Sequence, residues 1–366
     1  METALHNILE RVRAAAADAT PLRLCGGGSK DFHGLALEGT PLELRPLRGI
    51  ISYEPTELVV TARAGTPLQE LQATLAQAGQ ALAFEPPHFA LGDKQPTVGG
   101  MVAAGWSGPA RASSGAVRDF VLGVEIINGR GELLRYGGQV MKNVAGYDVS
   151  RLMAGSWGTL GVITEVSLKV LPVAPAQATL VFAMNEAQAL EALNRWGGQP
   201  LPLNASCWAQ GQLWLRLCGA QAAVQAACQK LGGERLPDDQ AAALWHSLRE
   251  QQHPWFAQRS DADALWRLSL PQTAAPLALP EGIAAPLIEW HGAQRWVQAP
   301  RSMASAITAA AQAAGGSATI FRAERADQLS NWPIFNPQSA TLQAVHAQLE
   351  KAFDPHGLLN PGRTGL

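Results

Sequence analysis

The sequence predicts an α+β fold followed by a second, smaller domain, and three observations support that prediction. The stretch Pro96–Pro172 holds 14 of the 36 glycines in about a fifth of the residues, yet its short apolar runs are typical of strands. Short strands, helices and glycine turns alternate from residue 20 to residue 172, which is an α+β pattern. After the proline-rich Leu171–Pro175 the glycines thin out, and nine of the 11 tryptophans lie beyond residue 190. This change in amino-acid composition predicts a linker and then a separate α/β domain.

Length and composition exclude several classes of protein. With 366 residues, 47% of them hydrophobic and 16% charged, the chain can bury the cores of two domains and is not of the disordered class. The net charge of −2 comes without a basic patch, which excludes nucleic acid as the expected partner.

Cysteine spacing and hydropathy bear on the metal content and the compartment. The four cysteines form neither a CxxC pair nor a zinc spacing, so we expect no metal site and no iron–sulfur cluster in this chain. The first residues carry charges among apolar ones, and no strongly apolar run reaches 18 residues. We therefore expect a cytoplasmic protein without a signal peptide or a transmembrane segment, held at the inner membrane only through partners.

The elements of the first domain can be justified in order. Helical spacing of apolar residues predicts an amphipathic helix over residues 3–18. Further on, strands are predicted at Leu22–Leu24, Glu43–Leu47, Ile50–Tyr53, Val59–Ala62, Phe120–Ile127 and Leu160–Val170.

Capping and turn signals complete the first domain. Thr66 is the predicted N-cap of a helix that begins with Pro67 and turns Leu68, Leu71 and Leu75 inward. The segment 128–131, Asn-Gly-Arg-Gly, predicts a hairpin.

In the second domain, the same reasoning predicts strands and helices that alternate around a proline-rich loop, Pro271–Pro286. Strands are predicted at Leu180–Met184, Cys207–Trp208, Leu213–Leu217, Leu265–Leu270 and Trp296–Gln298, and helices at Glu186–Trp196, Ala220–Leu231 and Ser302–Ala314. The tryptophan-rich region from Trp245 to Trp266 is a candidate for docking a partner, since tryptophan is favoured at interfaces. The tail is predicted to form a helix over Leu342–Phe353.

Three glycine loops are the candidate binding elements. Gly26-Gly27-Gly28-Ser29 follows a strand and suits either a tight turn or a nest of backbone N–H groups around an anion. It does not match GxGxxG, because Asp31 stands where the third glycine should be, so the usual nicotinamide-binding fingerprint is absent. Residues 97–105 and 155–163 form the second and third loops. In this order and spacing, the three loops indicate a bulky dinucleotide.

The order of these motifs resembles a known family. GGGS, PTVGG, GYD with GSWGTLGVIT, and a closing FDPHGLLNPG are similar to the PCMH-type FAD-binding fold shared by vanillyl-alcohol oxidase and p-cresol methylhydroxylase. Within that fold, the run Lys142–Leu152 and the short length resemble the FAD-binding E subunits of bacterial glycolate oxidase. The resemblance implies two α+β subdomains around FAD, a smaller α/β cap domain, and a C-terminal tail that returns to the FAD domain. The expected boundaries are 1–173, 178–340 and 342–366.

The resemblance also implies which residues would hold FAD, taken segment by segment. The pyrophosphate would lie on Gly26, Gly27, Gly28, Ser29 and Lys30, and the second side of the dinucleotide on Pro96, Thr97, Gly99 and Gly100. The ribityl and adenine portions would lie along Gly105, Ser107, Gly115 and Ala116, the adenosine along the backbone of Gly161, Val162 and Ile163, and Asn360 to Arg363 would lie near the flavin.

Two departures from the family pattern carry expectations of their own. Members that attach FAD covalently have a histidine after two glycines in the first loop, where this chain has Gly28, so we expect non-covalent FAD. The H-x-G-D-G-N segment of the larger 2-hydroxy-acid dehydrogenases is missing, so no catalytic base can be named. Lys142 and Arg363 are the candidates for a cation near the flavin or the substrate carboxylate. Each histidine of the second domain is a weak candidate for the base: His246, His253 and His291.

The resemblance implies an FAD-binding subunit of a glycolate oxidase, which oxidises glycolate, a small 2-hydroxy acid, to glyoxylate. The expected partners are a larger FAD-binding glycolate oxidase subunit and an iron–sulfur subunit, which would take the electrons. The alternatives are a stand-alone FAD-dependent 2-hydroxy-acid dehydrogenase and an FAD-dependent reductase of cell-wall precursor synthesis. The missing histidine segment favours the subunit over the stand-alone enzyme.

Overall fold

A computed structural model describes residues 2–35, 38–138, 148–323 and 339–364. As far as residue 172 the helices and strands are α1 (Glu2–Asp18), β1 (Leu22–Cys25), β2 (Thr40–Glu43), β3 (Ile50–Glu54), β4 (Val59–Arg63), α2 (Leu68–Gln77), β5 (Gln80–Ala81), α3 (Val98–Ala104), α4 (Arg111–Ser114), α5 (Val117–Phe120), β6 (Val121–Ile127), β7 (Leu133–Gly137), α6 (Val149–Leu152), β8 (Val162–Lys169) and β9 (Leu171–Pro172).

Beyond residue 172 the elements are β10 (Ala176–Ala183), α7 (Glu186–Gly197), β11 (Leu203–Ala209), β12 (Gln212–Gly219), α8 (Gln221–Leu231), β13 (Glu234–Arg235), α9 (Asp238–Arg249), α10 (Pro254–Ala257), β14 (Asp263–Ser269), β15 (Leu287–Glu289), β16 (Gln294–Pro300), α11 (Ala304–Ala313), β17 (Ser317–Arg322) and α12 (Ala340–Phe353). Two short 3₁₀ turns lie at Trp290–Gly292 and Arg301–Met303. Among the helices of the described ranges, none is long and apolar enough to cross a membrane.

The first of two compact units comprises residues 1–107, 115–173 and 337–366. Its larger sheet is antiparallel throughout and has the order β3-β4-β8-β6-β7. One face of this sheet packs on α2 and α3, where the predicted inward residues Leu68, Leu71 and Leu75 are fully buried. A smaller parallel pair, β1 and β2, packs on α1 around Val12 and Leu42. The C-terminal segment continues the smaller sheet, because Leu359 bridges Leu22 in parallel.

Two predictions for this unit are wrong for tertiary reasons. The strand expected at Glu43–Leu47 lies earlier, at Thr40–Glu43, because β1 pairs with those residues and the chain turns at Leu44. Thr66 does not cap α2. Its hydroxyl instead accepts a hydrogen bond from the Gly49 amide at 2.9 Å and donates to the Gly49 carbonyl at 3.1 Å. The predicted hairpin between β6 and β7 is confirmed. Asp148 is the N-cap of α6, and its side chain accepts a hydrogen bond from the amide of Arg151.

The second unit comprises residues 108–114 and 174–336. Its sheet has the order β13-β10-β12-β11-β15-β16-β14-β17, and every pairing is antiparallel. Because every pairing of this sheet is antiparallel, this unit is α+β rather than the α/β cap that was predicted. The region proposed as a docking surface is core, since Trp245, Trp255 and Trp266 are each less than 5% exposed.

One short segment changes unit relative to the predicted boundaries. Residues 108–114 were placed in the first domain, but they pack with the second unit. The Trp290 indole donates to the Gly108 carbonyl at 3.0 Å, and the Arg111 guanidinium lies 4.4 Å from the centre of that ring. Ser113 lies 3.0 Å from the ring nitrogen Nε2 of His291. Because of these contacts, residues 108–114 belong to the second unit, although the residues on either side of them in the chain belong to the first.

Candidate cofactor-binding site

A cleft in the first unit is lined by all three glycine loops and by the C-terminal segment. It holds about 790 Å³ of space that no protein atom occupies, part of it open to solvent. The lining residues are Leu24, Gly26, Gly27, Gly28, Ser29, Lys30, Asp31, Leu44, Ala64, Pro96, Thr97, Gly99, Gly100, Ala103, Ala104, Trp157, Gly158, Gly161, Ile163, Asn360 and Arg363.

Most of the residues expected to hold the cofactor are brought together in this cleft. The whole of Gly26–Lys30 lines it, as do Pro96, Thr97, Gly99, Gly100, Gly161, Ile163, Asn360 and Arg363. Gly105, Ser107, Gly115, Ala116 and Val162 lie outside its lining, and their part in binding stays a prediction. Lys142 lies outside the described residues.

Residues outside the lining have local structural roles that the glycine pattern did not reveal. Gly105 ends α3 in the left-handed conformation (φ 66°), and a Cβ atom there would lie 2.8 Å from Gly155. The Ser107 hydroxyl accepts a hydrogen bond from the amide of Val117 at 3.1 Å. Val162 is a fully buried core residue.

The first loop presents unused backbone donors. In the described chain, the amides of Gly26, Gly27, Gly28 and Ser29 donate no hydrogen bond to protein. Successive backbone N–H groups without a protein acceptor are the donors from which an anion-binding nest is built. The Lys30 ammonium donates to the Ser29 hydroxyl at 3.2 Å, so a cation lies next to these amides.

Glycine in the first loop is required at two positions for different reasons. Gly28 has φ 72°, a conformation that L side chains rarely adopt. At Gly27, a Cβ atom would lie only 1.4 Å from the carbonyl oxygen of Gln95. The first loop therefore passes directly over the backbone that leads into the second loop. Residue 27 must lack a side chain for the two segments to pack.

The second loop runs into α3, whose N-cap is Thr97. The Thr97 hydroxyl accepts a hydrogen bond from the Gly100 amide at 3.2 Å. Gly99 faces inward, where a Cβ atom would lie 2.6 Å from that of Ala64. Gly100 is exposed and lines the cleft. This helix turn therefore presents bare backbone to whatever occupies the cleft.

The third loop is fastened to the end of the same helix. The Gly155 amide donates to the carbonyl of Val102 at 3.1 Å, and the Trp157 amide donates to that of Ala103 at 2.9 Å. These bonds turn Trp157 to the cleft with φ 52°. The second and third loops are consequently one connected structure.

An aromatic cluster behind the cleft was missed by sequence reasoning. The His33 ring stacks on Trp157 with ring centroids 5.0 Å apart, and it packs nearly perpendicular to Trp106 with ring centroids 4.9 Å apart. Phe89 approaches Trp106 at 5.8 Å and Phe32 approaches it at 5.9 Å. No short motif contains these residues, and the signal available in the sequence was only the proximity of residues 32–33 to the first loop.

Arg363 brings a buried charge to the cleft. The residue is 4% exposed, and its guanidinium lies 5.1 Å from the centre of the Trp157 ring. Burial lowers the pKa of Arg363 to about 10, and nearby Asp31 acts in the opposite direction. The side chain stays cationic at neutral pH, so Arg363 and Lys30 make the cleft attractive to an anion.

In the second unit, the three histidines considered as a base differ sharply in environment. His253 caps α10, and His246 contacts Arg249, so these two have local roles. His291 lies between two hydroxyls, with Nδ1 at 3.0 Å from Ser206 and Nε2 at 3.0 Å from Ser113. Burial lowers the pKa of His291 to about 4, so its ring is neutral at pH 7.

Two arginines surround the residue before His291. Arg111 and Arg267 lie 4.4 and 5.1 Å from the centre of the Trp290 ring. Burial, with the nearby Arg111 charge, lowers the pKa of Arg267 to about 10. The second unit thus places two arginines on the ring of the residue that precedes this neutral imidazole.

Comparison with known proteins identifies the family of the chain. Residues 5–137 match the family described as FAD binding domain. The chain is 47% identical over 356 residues to the glycolate oxidase subunit GlcE of Escherichia coli (strain K12), covering 97% of this chain and 96% of that protein. It is 32% identical to the glycolate oxidase subunit GlcD of Bacillus subtilis (strain 168), over 43% of this chain and 32% of that protein.

A solved structure extends the comparison to the fold of the whole chain. The 4-ethylphenol oxidase from Gulosibacter chungangensis superimposes with a TM-score of 0.66 and 15% identity, covering 96% of this chain and 86% of that chain. At this identity the likeness shows the fold alone. Together with the family match, it confirms the predicted FAD-binding fold.

Proposed function

The chain belongs to the family of glycolate oxidase subunits that includes GlcE of E. coli, and on that premise we propose that it is the FAD-binding subunit of a glycolate oxidase complex. FAD is the cofactor of this family of oxidoreductases. The complex would oxidise glycolate, a 2-hydroxy acid, to glyoxylate. The observation that carries the proposal is the nest of four unused amides in a cleft lined by all three glycine loops.

The residues of the cleft fit a diphosphate. Among the residues that the structure describes, none accepts a hydrogen bond from the amides of Gly26, Gly27, Gly28 and Ser29, and a diphosphate supplies acceptors for several successive N–H groups. Lys30 and Arg363 add positive charge at the same place. We assign the four amides and Lys30 to the pyrophosphate, with the Arg363 charge behind them, and the exposed backbone of Gly100 to the second side of the dinucleotide.

When bound, FAD supplies the acceptor for the hydride that leaves the substrate carbon. This chain contributes binding and orientation. The nest neutralises the diphosphate without a mobile side chain, α3 presents the Gly100 backbone, and Arg363 keeps a positive charge behind the loop.

We assign the FAD as non-covalently bound. Gly28 stands where covalent members have a histidine. Cys25 lies outside the cleft lining, and burial raises the pKa of its thiol, which keeps it protonated. The His33 ring is held between two tryptophans. Acid precipitation should release all the flavin into the supernatant, whereas flavin retained in the pellet would contradict the assignment.

The partners are the finer part of the proposal. Two relatives are named as different subunits of glycolate oxidase, which supports a complex with a larger FAD-binding subunit. All four cysteines are free and show no cluster spacing, so onward electron transfer to an iron–sulfur centre requires a separate subunit. Attachment to the inner membrane would then come through these partners.

A single substitution tests the placement of FAD. Gly100→Ala adds a methyl group on the cleft side of α3, where the nearest protein atom would be the Thr97 hydroxyl at 3.1 Å. Alanine favours a helix by about 1 kcal/mol over glycine, so the apoprotein should keep its stability. The Kd for FAD, measured by fluorescence titration, should rise at least about tenfold, the effect of losing one or two backbone contacts. An unchanged Kd would contradict the placement.

A stand-alone 2-hydroxy-acid dehydrogenase is the second candidate, and the His291 environment is the observation that favours it. The unprotonated His291 imidazole could accept a proton, although its low pKa makes it a weak base, and Arg111 and Arg267, which pack on the adjacent Trp290, could bind a carboxylate. Anaerobic mixing of the purified chain with glycolate separates the two candidates. Flavin bleaching without partners would favour the stand-alone enzyme, whereas bleaching only with the larger subunit present would favour the subunit.

A further inference from the structure

The Asn360 carboxamide joins two glycine loops that are far apart in the sequence. Its oxygen accepts a hydrogen bond from the amide of Leu24, the strand residue that leads into the first loop, at 2.7 Å. Its nitrogen donates to the carbonyl of Trp157, in the third loop, at 2.7 Å. A rigid planar group with both ends engaged fixes the separation of the two loops.

Arg363 makes a second connection from the same segment. One guanidinium nitrogen donates to the carbonyl of Leu35 at 2.8 Å and the other to that of Lys30 at 3.3 Å, which holds the turn that follows the first loop. The same group lies over the ring of Trp157. Like Asn360, it therefore contacts both the first-loop region and the third loop.

The surroundings of both side chains accommodate them closely. A Cβ atom at Gly158 would lie 2.8 Å from the Asn360 amide nitrogen, and one at Gly34 would lie 3.2 Å from the Arg363 guanidinium. Asn360 has φ 46°, a conformation in which asparagine is enriched. Two glycines and one left-handed asparagine thus make room for this pair of contacts.

We infer that Asn360 and Arg363 are positioning residues, which hold the first and third loops at the separation that the cofactor requires, rather than ligands of the flavin or catalytic groups. The polar atoms of Asn360 are directed at backbone on both sides, and in the described chain Arg363 has no carboxylate within 4.0 Å. This inference rests on the proposed placement of FAD in the cleft. It replaces the role of Arg363 as a candidate for the substrate carboxylate.

Conservative variants distinguish positioning from simple charge attraction. Arg363→Lys keeps the positive charge but loses the planar guanidinium group, which donates to the carbonyls of Leu35 and Lys30 at once. Asn360→Ala removes both bridging bonds. Lys351→Ala is the matched control, because Lys351 is exposed on α12 in the same C-terminal segment. The measurements are the Kd of apoprotein for FAD, the visible circular dichroism of the bound flavin, and the Tm of the apoprotein.

Both test variants should bind FAD at least about tenfold more weakly, since each loses hydrogen bonds that fix the loops. The flavin circular dichroism should change, because the loops around the cofactor are no longer held. Lys351→Ala should match the wild type in all three measurements. If Asn360→Ala does not fold, Asn360→Ser, which retains one hydrogen-bonding group, replaces it with the same expectation.

Two results would overturn the inference. A Kd within twofold of wild type for Arg363→Lys would mean that its charge suffices. A wild-type Kd and flavin spectrum for the Asn360 variant, with only a lower apoprotein Tm, would mean that the bridge serves stability alone. In either case, weakened binding by Gly100→Ala would leave the placement of FAD intact, so the two failures are distinguishable.

Discussion

The crossing of the first loop over Gln95 can be tested by adding one methyl group. Gly27→Ala would place its Cβ atom 1.4 Å from the Gln95 carbonyl oxygen, whereas Cβ atoms essentially never approach a heavy atom within 3.0 Å. The first loop and the backbone at Gln95 must therefore separate by about 1.6 Å at least, the difference between these two distances. Since both partners are backbone, no change of rotamer can relieve the contact. The substitution should destabilise the protein by about 3 kcal/mol, at the upper end for overpacking.

FAD binding should suffer more than stability does in Gly27→Ala. The nest amides lie on the displaced loop, and misplacement by about 1 Å can reduce the effect of a preorganised site about a hundredfold. Gly28→Ala is the matched control, because its Cβ atom would meet side chains and no backbone: that of Asp31 at 3.1 Å and that of Lys94 at 3.6 Å, both about half exposed and able to move. Its left-handed φ should cost about 1 kcal/mol, with a loss of FAD affinity below about tenfold.

The assay combines urea unfolding of the apoproteins with fluorescence titration of FAD. The expected order of effect is Gly27→Ala, then Gly28→Ala, then wild type, in both measurements. If Gly28→Ala were the more damaging variant, the left-handed turn rather than the backbone crossing would limit the loop. Wild-type stability and affinity in Gly27→Ala would refute the close approach to Gln95 altogether.

Two further predictions concern buried ionisable side chains in the second unit. His291 has a pKa of about 4, below its ordinary value of 6.5, so the unfolded chain binds the proton more tightly and stability falls as the pH falls from about 6.5 to 4. This group should lower the free energy of unfolding by about 2 kcal/mol at pH 5. Urea unfolding of His291→Gln should therefore show a decrease from pH 7 to pH 5 that is smaller by that amount. An equal decrease in the variant and the wild type would contradict the prediction. Arg295 is fully buried, donates to the carbonyls of Ala274 and Ala275, and lies 3.7 Å from Glu186. Arg295→Met should lower the free energy of unfolding by about 3 kcal/mol, because it leaves Glu186 without its counter-charge. Arg235 is exposed, so Arg235→Met should change the free energy of unfolding by less than about 0.5 kcal/mol. Similar effects of the two substitutions would refute the argument.

Most elements were predictable from local pattern, and the failures have a common cause. The spacing of Leu68, Leu71 and Leu75 predicted the buried face of α2, because helical periodicity is contained in ten consecutive residues. The cap of the same helix was wrong, because the Thr66 hydroxyl found a tertiary partner in Gly49. The α/β class of the second domain was wrong because alternation of strands and helices does not specify which strands pair.

By itself, the sequence determined that three loops of bare backbone belong to an FAD-binding fold, since glycine content and motif order are local properties that survive without coordinates. Only the tertiary structure decided what each glycine is for. Gly27 clears the backbone of Gln95, Gly28 supplies a left-handed turn, and Gly100 faces the cleft. The structure also decided the role of the tail. The Asn360 side chain contacts residues 336 and 203 positions away, and no pattern in a window of sequence can reveal contacts at such separations.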